Sequence, residues 1–172
     1  MRYTPCEIDS MLSRKVCLID SREQQTEAYF RRVESIGLPS ERVALNYADY
    51  SVYTTDNNGS KIDMRTIFAI ERKMSLDELA SCFTKSRSRF MREFERAKAD
   101  GCRMHLIIEG DNYEHLREGK YRSKLNPKSL TASLLSWSAR YNIQLYFCQP
   151  ENTGWLIGEI LHYSLREYLL NQ

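Results

Sequence analysis

The chain has no apolar run approaching the roughly 18 residues that a membrane-spanning helix needs. This excludes a helical integral membrane protein and leaves a soluble chain as the expectation. It also lacks any CxxC pair. Its five cysteines, Cys6, Cys17, Cys82, Cys102 and Cys148, are odd in number and widely spread, and they read as reduced thiols rather than as a disulfide framework. The three histidines, His105, His115 and His162, share no ligand spacing with those cysteines, so no zinc site is expected. The stretch Met1 to Glu7 has no basic segment followed by an apolar core, which argues against a secretion signal and for a cytoplasmic location. Charge of one sign is lacking too. With 25 Lys and Arg against 23 Asp and Glu the net charge is +2, and a nucleic-acid binder would have to declare itself through a local patch rather than this total. No repeat, low-complexity segment or internal linker is visible.

What remains is 172 residues, 42% hydrophobic and 28% charged, enough for one domain that buries its own core. Lys15–Asp20 (KVCLID) is a short apolar run closing on a carboxylate and predicts a buried strand. A helix is expected over Arg22–Ile36, from the spacing of Tyr29, Phe30, Val33 and Ile36, with Gly37 ending it. Arg42–Thr54 and Met64–Lys73 read as extended stretches in a hairpin or meander around the turn Asp56–Gly59. Ser75 should cap a helix from Leu76 carrying Leu79, Ala80 and Phe83. A second helical run places Phe90, Phe94 and Ala97 together, with Thr84–Ser88 as the break. Met104–Glu109 is a second buried strand, followed by a short helix and a polar Tyr121–Lys124 loop. A helix then starts at Asn126-Pro127, with Leu130, Leu134, Trp137, Ser138 and Tyr141 inward, then a strand at Ile143–Cys148 and a last helix from about 153 to 170. Trp137, Tyr141 and Trp155 are assigned to core packing. The pattern predicts an α/β (α+β) layered domain, a mixed central sheet flanked by helices, with its core over about 15–150.

The chemistry concentrates in Glu71-Arg72-Lys73. At a strand end, alternation puts Glu71 and Lys73 on one side and Arg72 on the other. An acid and an amine at this spacing, facing a second acid such as Asp49, can hold a divalent cation and place a water beside a phosphate. Two carboxylates with waters and phosphate oxygens suit magnesium. The same E-x-K also arises by chance as a surface ion pair, and the basic run Lys85, Arg87, Arg89, Arg92, Arg96 and Lys98, interrupted by Glu93 and Glu95, reads by itself as a solvated helix face.

The order of the signals is more specific than any one of them: Asp20, Arg22 and Glu23 (D-x-R-E), then Asp49, then Glu71, Arg72, Lys73 and Asp77 (E-R-K-x-x-x-D), then Arg89. In this the chain resembles the XPF and Hef type nuclease domain, the excision-repair cross-complementation group four domain of the PD-(D/E)XK restriction-endonuclease-like superfamily, in its small stand-alone phage and bacterial form. The resemblance implies a restriction-endonuclease-like fold and magnesium- or manganese-dependent cleavage of flapped, splayed or branched DNA in repair or recombination. It makes Asp20, Asp49, Glu71, Arg72, Lys73 and Asp77 catalytic, with Asp20, Asp49 and Glu71 at the metal. Arg22, Lys85, Arg87 and Arg89 would contact DNA, Glu23 would support, and a homodimer is implied. Glu109, at the end of its strand, is kept outside the core set. Two departures stand out. Ala48 replaces the family's glycine, which predicts that no left-handed turn forms there, and no helix-hairpin-helix module is expected within these 172 residues. Two alternatives stay open: a catalytically silent DNA-binding or scaffold copy of the fold, and a nuclease acting on RNA or on DNA ends.

Overall fold

The computed structural model describes residues 3–172. Met1 and Arg2, part of the stretch weighed above for a secretion signal, lie outside the described residues. The first element, α1 (Pro5–Ser13), was not foreseen, although its start is written in the sequence: Thr4 caps it, Pro5 opens it, and Glu7 completes the reciprocal capping box.

The strands and helices that follow are β1 (Val16–Asp20), α2 (Glu27–Ile36), β2 (Ser40–Val43), β3 (Tyr50–Thr55), β4 (Lys61–Asp63), β5 (Phe68–Lys73), α3 (Leu76–Phe83), α4 (Arg87–Ala99), β6 (Arg103–Glu109), α5 (Tyr113–Glu118), α6 (Pro127–Tyr141), β7 (Gln144–Cys148) and α7 (Pro150–Leu170). Three expectations are corrected. Helix α2 starts at Glu27 rather than Arg22, because Thr26 is the residue whose side chain accepts the Tyr29 N–H. Arg42–Thr54 is two strands, β2 and β3, joined by an irregular segment rather than one extended stretch. Helix α7 begins at Pro150, so Trp155 falls on its exposed surface, 57% accessible, instead of in the core.

Seven strands form one mixed sheet in the order β2-β1-β3-β5-β6-β7, with β4 pairing to β3. β1 and β2 are parallel, as are β5, β6 and β7, whereas β3 is antiparallel to β1, β4 and β5. β3 therefore runs against the other six. The carboxyl ends of β1, β5 and β6 and the start of β3 consequently lie along one edge of the sheet.

Two apolar clusters cover the two faces. On one, Ala69, Leu106 and Ile108 pack with α3, α4, α5 and α6 around Trp137. On the other, Cys17, Ile19, Tyr50, Phe68, Ile70 and Ile107 pack with α1, α2 and α7. Residues 68 and 70 against 69, and 107 against 106 and 108, show the two-residue alternation of strands buried on both sides. Phe83, Phe90, Phe94 and Tyr141 ring Trp137 at centroid distances of 4.9–5.9 Å, mostly edge to face, as the ring quadrupoles favour. No described helix is long and apolar enough to cross a membrane.

Helices α2 and α7 meet backbone to backbone. A Cβ at Gly158 would lie 2.7 Å from the Ile36 carbonyl oxygen, and one at Gly154 would press on the Arg32 carbonyl. Only glycine permits this spacing, even though alanine is the better helix former by about 1 kcal/mol. Gly154→Ala and Gly158→Ala should each destabilise the protein by about 1–2 kcal/mol net, since forced overpacking costs more than propensity returns. Thermal melts would check this, and an unchanged or raised Tm would show that the helices separate without cost.

Candidate active site

The sheet's topology gathers the residues singled out by sequence. Asp20 ends β1, Glu71 and Lys73 end β5, and Glu109 ends β6. Asp49 immediately precedes β3, which reaches the same edge because it runs the other way. Together they line a cleft of about 600 Å³ that also includes Arg22, Glu23, Arg32, Arg72, Met74, Glu78, Cys82, Arg89 and Glu93. Position at the carboxyl ends of strands is the usual place for a site in a sheet of this kind.

Asp49 is fixed by its own main chain. Its N–H donates to the Ile70 carbonyl at 2.9 Å, and its carbonyl accepts from the Asp20 N–H at 2.8 Å. The turn into it uses Ala48 at φ 63, so the left-handed turn forms despite the missing glycine. This corrects the expectation above. Such a conformation costs a non-glycine residue about 1–2 kcal/mol, and the two strand hydrogen bonds beyond it hold it in place. The Asp49 carboxylate accepts the Arg72 N–H at 2.8 Å.

Glu71 and Lys73 sit on the α3/α4 face, both buried, with Lys73 Nζ donating to Glu71 Oε1 at 2.5 Å and lying 3.6 Å from Glu78 Oε1. The ammonium also rests 5.2 Å from the centre of the Phe90 ring. Burial works against the charge on Lys73, but Glu71 and then Asp49 outweigh it and hold the amine above its ordinary value, so it stays protonated. For Asp49, burial and then the Glu71 carboxylate push the carboxyl well above its usual range, with Lys73 only partly offsetting them. Glu71 is raised by burial, which Lys73 counteracts without overcoming it.

Arg72 points to the opposite face, as alternation requires. Its Nη1 donates to Glu109 Oε2 at 2.8 Å, and its Nη2 lies 3.6 Å from Glu23 Oε2. Glu23 in turn accepts from Arg32 Nη2 at 2.9 Å and from the Tyr50 hydroxyl at 3.2 Å. Glu109, set aside on sequence, thus belongs to the cleft, as do Glu78, Glu93 and Arg32. For Glu78 a signal existed: Ser75-x-x-Glu78 is a capping pattern, and the Ser75 hydroxyl accepts the Glu78 N–H at 3.3 Å, although the Glu78 carboxylate accepts the Met74 N–H at 2.7 Å rather than that of Ser75. For Glu93 and Arg32, which lie on helices, single-sequence periodicity carries no such signal.

Other expected site residues are placed differently. Asp20 lines the cleft, but its carboxylate accepts the Arg22 Nε and Nη2 at 2.8 and 2.6 Å and the N–H groups of Arg22 and Leu45. Burial disfavours its charge, yet these donors bring the carboxyl below its ordinary value. Asp77 is not in the cleft. It accepts from the Arg122 N–H and Nε and the Ser123 N–H, tying the first turn of α3 to the loop before α6. Arg89 lines the cleft with 73% of its side chain exposed, 3.5 Å from Glu93, while Arg87 lies over Trp137 and Lys85 is exposed on the α3–α4 connection.

The cleft holds seven carboxyl groups against five cationic side chains. Among the described residues no three His, Cys, Asp and Glu side chains surround one point as a closed metal cage. The donors that could hold a cation are the two carboxylates Asp49 and Glu71, each raised first by burial and then by a neighbouring carboxylate, with Lys73 offsetting only part. That set suits magnesium, which takes one or two carboxylates and keeps its waters for substrate oxygens.

The ERCC4 domain family matches residues 19–155. Among solved structures, XPF from Aeropyrum pernix is similar at 22% identity and TM-score 0.62, over 90% of this chain and 67% of that one. The same protein in complex with DNA is similar at 22% identity and TM-score 0.61, over 90% and 66%. The chain thus spans about two thirds of the length of these structures, and at this identity the likeness establishes a shared fold. A search of curated proteins returned no match.

The raised Asp49 carboxyl has a consequence for stability. A carboxyl whose folded value exceeds its unfolded one binds its proton more tightly when folded, so its contribution weakens as pH rises above about 4, the ordinary aspartate value. Asp49→Asn removes that penalty and can still accept the Arg72 N–H. In EDTA at pH 7–8 the variant should be more stable than the wild type by on the order of 1 kcal/mol, with the gap closing towards pH 4. Magnesium should raise the Tm of the wild type only. A variant less stable than the wild type at pH 8 would contradict the charge-poor site.

Proposed function

Since the chain belongs to the ERCC4 domain family, we propose that it is a divalent-metal-dependent DNA endonuclease that hydrolyses phosphodiester bonds in flapped, splayed or branched DNA, acting in repair or recombination in the cytoplasm, with a homodimer as its working form. The observation that carries the reading is the pairing of Asp49 and Glu71, both with raised values, beside a Lys73 held protonated, in a cleft with an excess of carboxylates. Such a cleft repels a phosphate until a cation is bound.

Asp49 and Glu71 would hold Mg2+ or Mn2+, which supplies charge neutralisation at the phosphoryl oxygens as negative charge builds there. Asp20, with its carboxylate engaged by Arg22, supports the site from β1. The reaction takes one water: its oxygen bonds to phosphorus, the bond from phosphorus to the leaving sugar oxygen breaks, and the water's protons pass to the leaving oxygen and to solvent. A protonated Lys73 cannot accept a proton, so its role is to hold the attacking water and the phosphate by hydrogen bonds and charge. Arg89 and Arg22, exposed at the lip, would meet phosphates on either side.

A panel of single-stranded, duplex, splayed-arm and flap DNA, with matched RNA, assayed in magnesium, manganese and EDTA tests the reading. Asp49→Asn and Glu71→Gln should abolish cleavage without unfolding. Lys73→Ala should lower the single-turnover rate by about 10² or more while DNA binding in calcium persists. Lys73→Arg should recover little, because a guanidinium fork does not fit where a compact ammonium sits against Glu71. Near wild-type rates in the two acid variants would sink the site, and full activity of Lys73→Arg would reduce Lys73 to long-range charge. Arg89→Ala should weaken DNA binding and reduce its salt slope by about 1, and an unchanged slope would return Arg89 to a solvated helix face.

A further inference from the structure

Arg72 is an unusual residue to bury. Its guanidinium side chain is 10% accessible, and among the described residues its Nε finds no partner. A buried cation is tolerated only where acids compensate it, and here two do so from opposite sides. Glu109 takes Nη1 at 2.8 Å, while Glu23 stands 3.6 Å from Nη2 with its carboxylate already shared by Arg32 and Tyr50. Glu109 is therefore the short, direct anchor.

Its own place is well fixed. It closes β6, the Gly110 N–H beyond it donates to the Cys148 carbonyl at 2.9 Å, and Asp111 accepts the Leu76 N–H at 2.8 Å, fastening the end of β6 to the start of α3.

We propose that Glu109 is a positioning residue of the cleavage site, acting through Arg72 on Asp49, Glu71 and Lys73. The inference rests on the nuclease reading above. Its logic is the continuity of the chain: the Arg72 N–H holds the Asp49 carboxylate at 2.8 Å, and Arg72 is covalently flanked by Glu71 and Lys73. Side chains on opposite faces of the strand share this one stretch of backbone. Anchoring the Arg72 side chain below the sheet thus sets the backbone from which Glu71 and Lys73 project above it, and it holds the donor that orients Asp49. Outer partners of this kind are worth about 10–100-fold in activity where they orient metal-binding groups.

The test uses Glu109→Gln, which keeps the size and an acceptor oxygen but not the charge, beside Arg72→Gln and the double variant. Glu109→Gln should lower kcat about tenfold, leave KM and DNA affinity in calcium within twofold, and speed hydrogen exchange at the Arg72 amide. In the Arg72→Gln background the same change should cost nothing further, since its effect passes through the guanidinium. Wild-type kcat in Glu109→Gln, a multiplicative loss in the double variant, or an Arg72 amide as protected as in the wild type would each overturn the proposal. A chain that cleaves no nucleic acid would instead sink the nuclease reading, and the amide exchange would still decide whether Glu109 anchors Arg72.

Discussion

Asp49 reaches the cleft because β3 runs against its neighbours, and two main-chain hydrogen bonds at its own residue make the junction rigid, one to Ile70 on β5 and one from Asp20 on β1. Were β3 parallel to β1 and β5, its first residue would lie at the far end of the sheet, a full strand length from Glu71. The left-handed Ala48 belongs to the same constraint. The chain must turn sharply to enter β3 in register, and the pairing of Tyr50 with both Ile19 and Ile70 holds it there although alanine resists the conformation.

From that junction the electrostatics follow. Two carboxyls brought together under partial burial cannot both be comfortably charged, and the structure answers with one fixed cation, Lys73, rather than with full neutralisation. The remaining deficit of positive charge is what the divalent ion proposed above would fill. Residues that would remove it are nearby but engaged elsewhere: Arg22 is committed to Asp20, and Arg72 to Glu109 and Glu23. A site with those arginines turned inward would be more stable without a metal and would have less use for one.

Much of this was legible in the sequence. The apolar runs at Lys15–Asp20 and Met104–Glu109, the Ser75 cap and the Asn126-Pro127 start lie within a residue of β1, β6, α3 and α6 as their local chemistry puts them. What was not legible has a common cause. The split of Arg42–Thr54 into β2 and β3 depends on partners more than twenty residues away, and strand pairing leaves no mark in a single strand. The helical spacing of Trp155 among leucines reads as core, but Gly154 and Gly158 let α2 approach so closely that their side of α7 is buried and Trp155 is turned out. The start of α1 needs no distant partner, since the capping box of Thr4 and Glu7 is local. Among the residues lining the cleft, Glu71 and Lys73 are legible from the strand period and Asp49 from its place in the motif order of the resemblance, whereas Glu109 and Glu93 enter the cleft only through tertiary packing. Asp77 carries the motif spacing yet faces the loop before α6, since as the second residue of α3, about half a turn past the Ser75 cap, it points away from the strand ends.

The tripeptide Glu71-Arg72-Lys73 shows why place outweighs pattern. Within a strand buried on both faces, successive side chains are separated by the sheet itself, so the second residue of such a triplet could contribute nothing to a site formed by the first and third. At the last residues of β5 the sheet continues only on the β6 side, with Arg72 opposite Ile107, while pairing with β3 ends at Ile70 and leaves the other side open to Asp49. Arg72 can then gather Glu109 and Glu23 beneath the edge while its main-chain N–H reaches Asp49 and its neighbours hold Glu78 and Phe90 above it. The same three letters in the middle of a strand would be two unrelated surfaces. At a carboxyl-terminal edge, opposite an antiparallel strand that begins with an acid, they become one site assembled from both layers of the fold.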